Sequence, residues 1–193
     1  VGQQEDAREQ RRTIAVLVDN EPGVLARVIG LFSGRGYNIE SLTVSEVDPV
    51  ARFSRITIVT SGTSMVIEQI KAQLARLVPV HEVQDLSTEG PHIERELALI
   101  KVANRGEARI EALRIADMFR ARAIDSTLES FVFELTGNPG KIDAFIGLME
   151  AIGTIEVCRG GVVAISRGSI ISMVTAEGDE EDDPAPAGRV LVS

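Results

Sequence analysis

The alternation of apolar and polar residues divides the chain into short elements of two kinds. From Thr13 to Val18, Ile14, Val16 and Val18 share one face and Ala15 and Leu17 the other, the two-residue period of a strand. Val24, Leu25, Val28, Ile29 and Phe32 then recur at helical spacing and are expected on one buried face. Gly34 and Gly36 are placed to end that helix, because glycine enters the left-handed C-cap without strain. Strand patterning returns from Asn38 to Val47, turns at Asp48-Pro49, and resumes from Arg52 to Thr60. A second helix is predicted over residues 64–77, with Ile67, Ile70, Leu74 and Leu77 inward, followed by a strand from Val78 to Leu86.

After Ser87-Thr88-Glu89-Gly90-Pro91 the same order begins again. Leu97 to Ala103 reads as a strand. Residues 107–122 read as a helix with Ala112, Ile115, Ala116 and Phe119 inward. Ile124–Glu129 and Ser130–Leu135 read as strands, and 139–152 as a helix with Ile142, Phe145, Ile146 and Met149 inward. Ile155–Cys158 and Val162–Ile165 are expected as short strands on either side of Gly160-Gly161. The order β-α-β-β-α-β, met twice, predicts an α+β protein of two ferredoxin-like domains, at 11–86 and 92–172. Residues 1–10 and 176–193 are expected to be disordered, the latter from its acids, Pro, Ala and Gly.

Composition narrows the function classes. Of 193 residues 44% are hydrophobic, enough for packed cores, but only 4% are aromatic and none is Trp. No run approaches the ~18 apolar residues of a membrane span, and the polar, acidic start does not resemble a secretory signal. The single cysteine, Cys158, has no partner for an internal disulfide and reads as a small apolar strand residue, so a cytoplasmic setting is expected. The tail from Glu177 holds six acids against one base, Arg189, a net −5 of the chain's −9. The remaining body is mildly acidic and poor in aromatics, which argues against nucleic acid as a partner.

Catalytic chemistry finds little purchase. His81 and His92 have no metal-ligand spacing to each other or to Cys158, no G-x-S-x-G elbow occurs, and no metal or catalytic set is assigned. Gly34-Arg35-Gly36 follows a helix and precedes a strand, the reverse of a dinucleotide-binding turn. The segment with chemical content is Asp19-Asn20-Glu21-Pro22-Gly23. A strand delivers the chain to a helix N-terminus, whose free N–H groups and dipole suit a carboxylate. Gly23 permits close backbone approach, and Asn20 can donate to a carboxylate and accept from an ammonium. The same residues also read as ordinary capping and turn residues.

Two blocks carry a resemblance. Asp19-Asn20-Glu21-Pro22-Gly23-Val24-Leu25, with Arg27-Val28, is similar to the motif of ACT domains, which bind amino acids in regulated enzymes. Arg27 to Ser33 and Arg35 to Val44, with Glu94 to Leu97, Phe119-Arg120, Ile124-Asp125, Lys141 to Phe145 and Gly161 to Gly168, resemble the small subunit of acetolactate (acetohydroxyacid) synthase. The likeness runs over about residues 11–168, and the tail after about Ser172 departs from it. It implies a non-catalytic regulatory subunit, with thiamine diphosphate, magnesium and FAD on a separate catalytic subunit and none in this chain. It implies activation of that partner and feedback inhibition by valine in branched-chain amino-acid synthesis; a homodimer through the ACT domain is expected separately, from the sheet edge left open by the second strand. The effector residues it implies are Asn20, Gly23, Val24, Leu25, Asn38 and Ile39. An alternative is a free-standing ACT sensor of another pathway. The long second strand lacks the Lys or Pro that blunts sheet edges, so pairing with its copy is expected.

Overall fold

The computed structural model describes residues 8–168, so the expected disorder of residues 1–7 and of the acidic tail lies outside the described residues. The first unit runs β1 (Gln10–Asp19), α1 (Val24–Arg35), β2 (Ser41–Asp48), β3 (Phe53–Gly62), α2 (Ser64–Leu74) and β4 (Val80–Asp85). The second runs β5 (His92–Ala103), α3 (Glu107–Phe119), β6 (Arg122–Ser126), β7 (Ser130–Gly137), α4 (Pro139–Glu150) and β8 (Thr154–Ser166). Each forms an antiparallel four-stranded sheet, ordered β2-β3-β1-β4 and β6-β7-β5-β8. The expected pair of ferredoxin-like βαββαβ units is present.

The period-2 pattern explains the first core. Ile14, Val16 and Val18 on β1 and Ile56 and Ile58 on β3 are at most 1% exposed and meet Val28 and Phe32 of α1 and Ile67, Ile70 and Leu74 of α2. In the second unit Ala98, Ile100 and Val102 meet Ala112, Ile115, Ile142, Phe145 and Met149 in the same way. Each large apolar side chain fully buried there contributes about 1.5–3 kcal/mol relative to exposure. Two of the helices, α2 and α4, begin where a side chain supplies an acceptor. Thr63 accepts from the Val66 N–H, and Asn138 accepts from the Lys141 N–H at 2.8 Å, with Pro139 in the first turn.

Several elements differ from the sequence reading. On α1 the buried residues are Val24, Val28, Leu31 and Phe32, while Leu25 and Ile29 are each 37% exposed. At about 100° per residue the stripe centred on Val28 reaches Leu31 and leaves Leu25 and Ile29 on its flank. β2 starts at Ser41, so Asn38 and Ile39 lie in the connection before it. α3 stops at Phe119 because Arg120 adopts φ 56°, and α2 stops at Leu74. β1 already includes Gln10, paired with Gly62. The two short strands expected around Gly160-Gly161 are one continuous strand, β8, whose irregularity opposite Glu96–Ala98 absorbs the glycines. Cys158 lies in β8 as expected but is exposed.

Part of the first sheet is buried on both faces. Opposite the helices, Thr13, Ala15, Thr57 and Val59 are at most 5% exposed. What covers that face is the second unit: β8 packs against β2 and β3.

Candidate functional site

β1 hands the chain to Asn20, whose N–H donates to the Arg52 carbonyl at 2.7 Å and whose Nδ2 donates to Glu46 Oε1 at 2.7 Å. Gly23 follows as the N-cap of α1 with φ 88°, a left-handed conformation that favours glycine. No side chain caps this helix and its first turn carries no acid. The space around Gly23 is open, with nothing within 4 Å of a Cβ placed there. The helix end is therefore exposed and electropositive through its dipole, with the Glu46 carboxylate held on Asn20. Val24 sends its side chain into the core, so only its backbone faces this opening, while Leu25 sits half out at the rim.

Asn38 and Ile39 occupy the other end of the sheet. The Asn38 carbonyl accepts from Thr60 Oγ1 at 2.6 Å, and the Ile39 side chain packs against the first core. Asp19 pairs with Phe53 at the start of β3, whereas Asn38 adjoins Thr60 near its end. That offset along β3 is about 24 Å at ~3.4 Å per residue. The candidate residues thus form two groups, Asn20, Gly23, Val24 and Leu25 in one and Asn38 and Ile39 in the other, and a single chain does not bring them together.

The outer edge of β2 lies between the two groups. Among the described residues β2 pairs only with β3. Val44 on this strand is 46% exposed, and Leu25 and Ile29 on α1 are each 37% exposed, apolar surface on the same unit as the unpaired edge.

A cavity of about 760 Å³ lies elsewhere, between the two units. Its charges are matched from within. Arg159 grips Glu96 through two bonds of 2.6 Å and Asp143 through one of 2.7 Å, and the Glu96 bonds chiefly hold its guanidinium above its ordinary pKa. Arg11 reaches Glu40 at 3.5 Å and Glu94 at 3.1 Å. Both histidines serve as structural partners: His81 Nε2 meets Asp19 Oδ1 at 2.6 Å, and His92 Nε2 lies 3.5 Å from Glu94. Among the described residues no group of three His, Cys, Asp or Glu could hold a metal ion, and no helix is long and apolar enough to cross a membrane.

Comparison with known proteins decides the family. Residues 14–82 match the model of the AHAS small subunit-like ACT domain, and residues 95–168 match that of the small subunit of acetolactate synthase. The acetolactate synthase isozyme 3 small subunit of Escherichia coli is 48% identical over 162 residues, covering 83% of this chain and 98% of the relative. The chain belongs to the acetolactate synthase small-subunit family. The acetolactate synthase small subunit of Mycobacterium bovis is 44% identical over 156 residues, 81% of this chain and 92% of its own. Among solved structures, the acetolactate synthase small subunit from Thermotoga maritima superposes with a TM-score of 0.74 at 36% identity, covering 83% of this chain and 99% of that one. Family membership explains why both units match in order: the likeness extends through the second unit rather than stopping at the ACT motif.

Sequence reasoning missed three groups that matter to the site. Glu46 engages Asn20 from 26 residues away. Ser41 and Thr43 engage Val162 from 121 and 119 residues away. Glu94 joins Arg11 and Thr13 across the two units. No local pattern marks any of them, since each depends on elements distant in the chain.

Proposed function

We propose that this chain is the regulatory subunit of an acetolactate synthase. In this reading it activates a separate catalytic subunit and confers feedback inhibition by valine in branched-chain amino-acid synthesis. The catalytic subunit carries the thiamine diphosphate, magnesium and FAD, and this chain holds none of them. The 11–86 unit receives the effector as a homodimer, and the 92–172 unit completes the response.

The observation that carries the reading is the separation of the two candidate groups along β2. In an antiparallel pair of β2 strands related by a two-fold axis, the start of one strand lies beside the end of the other. Asn38 and Ile39 of one chain then face the Gly23 loop of its partner. The uncapped amides of α1 receive the effector carboxylate, Asn20 and Asn38 supply amide groups to its polar atoms, and Leu25 and Ile39 take the isopropyl group. Burial of that group contributes about 1.5–3 kcal/mol. The seam itself is supported by the unpaired β2 edge and by exposed Leu25, Ile29 and Val44.

The test is reconstitution with the catalytic subunit, titrating valine, leucine and isoleucine with and without this chain. Activation together with valine inhibition that requires this chain is the expected result. Effector binding without any influence on the catalytic subunit favours the free-standing sensor instead. A monomer at micromolar concentration in the presence of valine removes the two-chain site.

A further inference from the structure

β2 is bound to the candidate effector site at both ends. Its first residue, Ser41, follows Asn38 by three positions and Ile39 by two, and near its far end Glu46 is held by Asn20. Between those ends β2 also holds the second unit. Ser41 and Thr43 project from the face of the sheet opposite the helices, in register with nearly inaccessible Val59 and Thr57. The Val162 N–H donates to Ser41 Oγ at 2.8 Å, and Thr43 Oγ1 donates to the Val162 carbonyl at 2.9 Å. One residue of β8 thus has both backbone polar groups engaged by two hydroxyls of β2, and its own side chain is only 3% exposed.

The neighbouring glycine makes this approach possible. Gly161 has φ 84°, and a Cβ there would lie 2.8 Å from Thr43 Cγ2 and 3.1 Å from Ser41 Oγ. A side chain at 161 would both strain the backbone and push β8 off β2. The contact is also directional. Apolar faces can slide over one another, whereas two hydrogen bonds to a fixed backbone residue tie any displacement of β2 to β8. β2 and β4 are each held by a strand on one side only, and of these two edges β2 is the one with a candidate-site group at each end.

We propose that Ser41 and Thr43, gripping Val162 beside Gly161, are the positioning residues that transmit effector occupancy from the first unit to the second. The proposal rests on the effector site described above and adds the route by which that site is read. Effector binding fixes β2 against its copy in the partner chain, and the clasp carries the new position of β2 into β8. The two arrangements of the clasp are what the effector discriminates, as any coupling between sites requires.

The experiment uses the full chain reconstituted with the catalytic subunit. Ser41→Ala combined with Thr43→Val removes both hydroxyls and keeps a branched strand residue at 43. Valine binding to the small subunit is measured by calorimetry, and valine inhibition and the uninhibited rate by assay. Amide hydrogen exchange is followed over residues 160–164 with and without valine. The expected result is binding within threefold and an uninhibited rate within twofold of wild type, with half-inhibition at least tenfold higher in valine. Valine slows exchange over 160–164 in the wild type and not in the double variant. Thr43→Ser, which retains the hydroxyl, responds as wild type does. An inhibition curve within twofold of wild type for the double variant overturns the clasp. So does loss of binding in parallel with inhibition, which makes the pair merely structural. A wild-type chain that neither binds valine nor responds to it overturns the effector reading, and the clasp with it.

Discussion

Replacing Gly23 separates three effects that one substitution would mix. The residue has φ 88° and no neighbour within 4 Å of a Cβ, so an added side chain meets no wall. The first cost is conformational, roughly 1–2 kcal/mol for an L residue in this region, and smaller for Asn or Asp, which enter it most readily. Gly23→Asn and Gly23→Asp are nearly isosteric and share that cost. Their difference is the charge. An aspartate placed about 4 Å from an effector carboxylate repels it by ~1 kcal/mol in a water-like medium and ~4 kcal/mol at the effective dielectric near a protein surface. Valine affinity should therefore fall a further ~5-fold to ~1,000-fold in Gly23→Asp relative to Gly23→Asn. The same aspartate fills the uncapped end of α1 and favours the helix by about 0.3–1 kcal/mol, so folding should suffer less from Asp than from Ala. Calorimetric valine titration, with thermal melts and the uninhibited rate of the reconstituted enzyme, reads all three terms. Equal valine affinity in the Asn and Asp variants, both folded, refutes placement of the carboxylate at this helix end.

Mixing chains tests the bridging geometry. Neither Gly23→Asp nor Asn38→Ala homodimers should bind valine at wild-type affinity, yet a heterodimer of the two should recover one wild-type site per dimer, seen as half stoichiometry in calorimetry. Glu94 supplies a pH dependence. Burial pushes its carboxyl up, but the Thr13 hydrogen bond and the Arg11 charge outweigh this and hold it below the usual carboxylate range. Its folded pKa is depressed, so its stabilisation is present above the unfolded-state value and is lost as pH falls through the folded one. Thermal melts of Glu94→Gln should show about 1–3 kcal/mol less stability at neutral pH and a shallower acid decline than wild type. Phe145, fully buried against Phe133 and Phe119, should cost about 3–5 kcal/mol as Phe145→Ala, measured by denaturant unfolding.

Periodicity was informative wherever one face of an element meets one core. Ile14, Val16 and Val18, or Ile142, Phe145 and Met149, are spaced for a single buried face, so the order of elements and most core residues follow from spacing alone. Where a second surface intervenes, the pattern misleads. Thr13 and Thr57 are polar by type yet at most 4% exposed, because the other unit meets that face, with β8 against β3 and Glu94 of β5 on Thr13. Leu25 and Ile29 are apolar yet 37% exposed, on the flank of the buried stripe of α1.

The candidate site divides in the same way. The sequence alone marked Asn20, Gly23 and the helix start, because a polar turn, a glycine and an apolar periodic run are adjacent in the chain and each follows from local backbone chemistry. Tertiary structure alone decided that Asn38 and Ile39 lie at the opposite end of β3 from them, that Glu46 engages Asn20, and that Ser41 and Thr43 hold Val162. Those relations are set by strand register and by the packing of β8 on the first sheet. Register and packing are fixed by contacts between segments distant in the chain, from 22 residues apart for Asn38 and Thr60 to 121 for Ser41 and Val162, which no local pattern encodes.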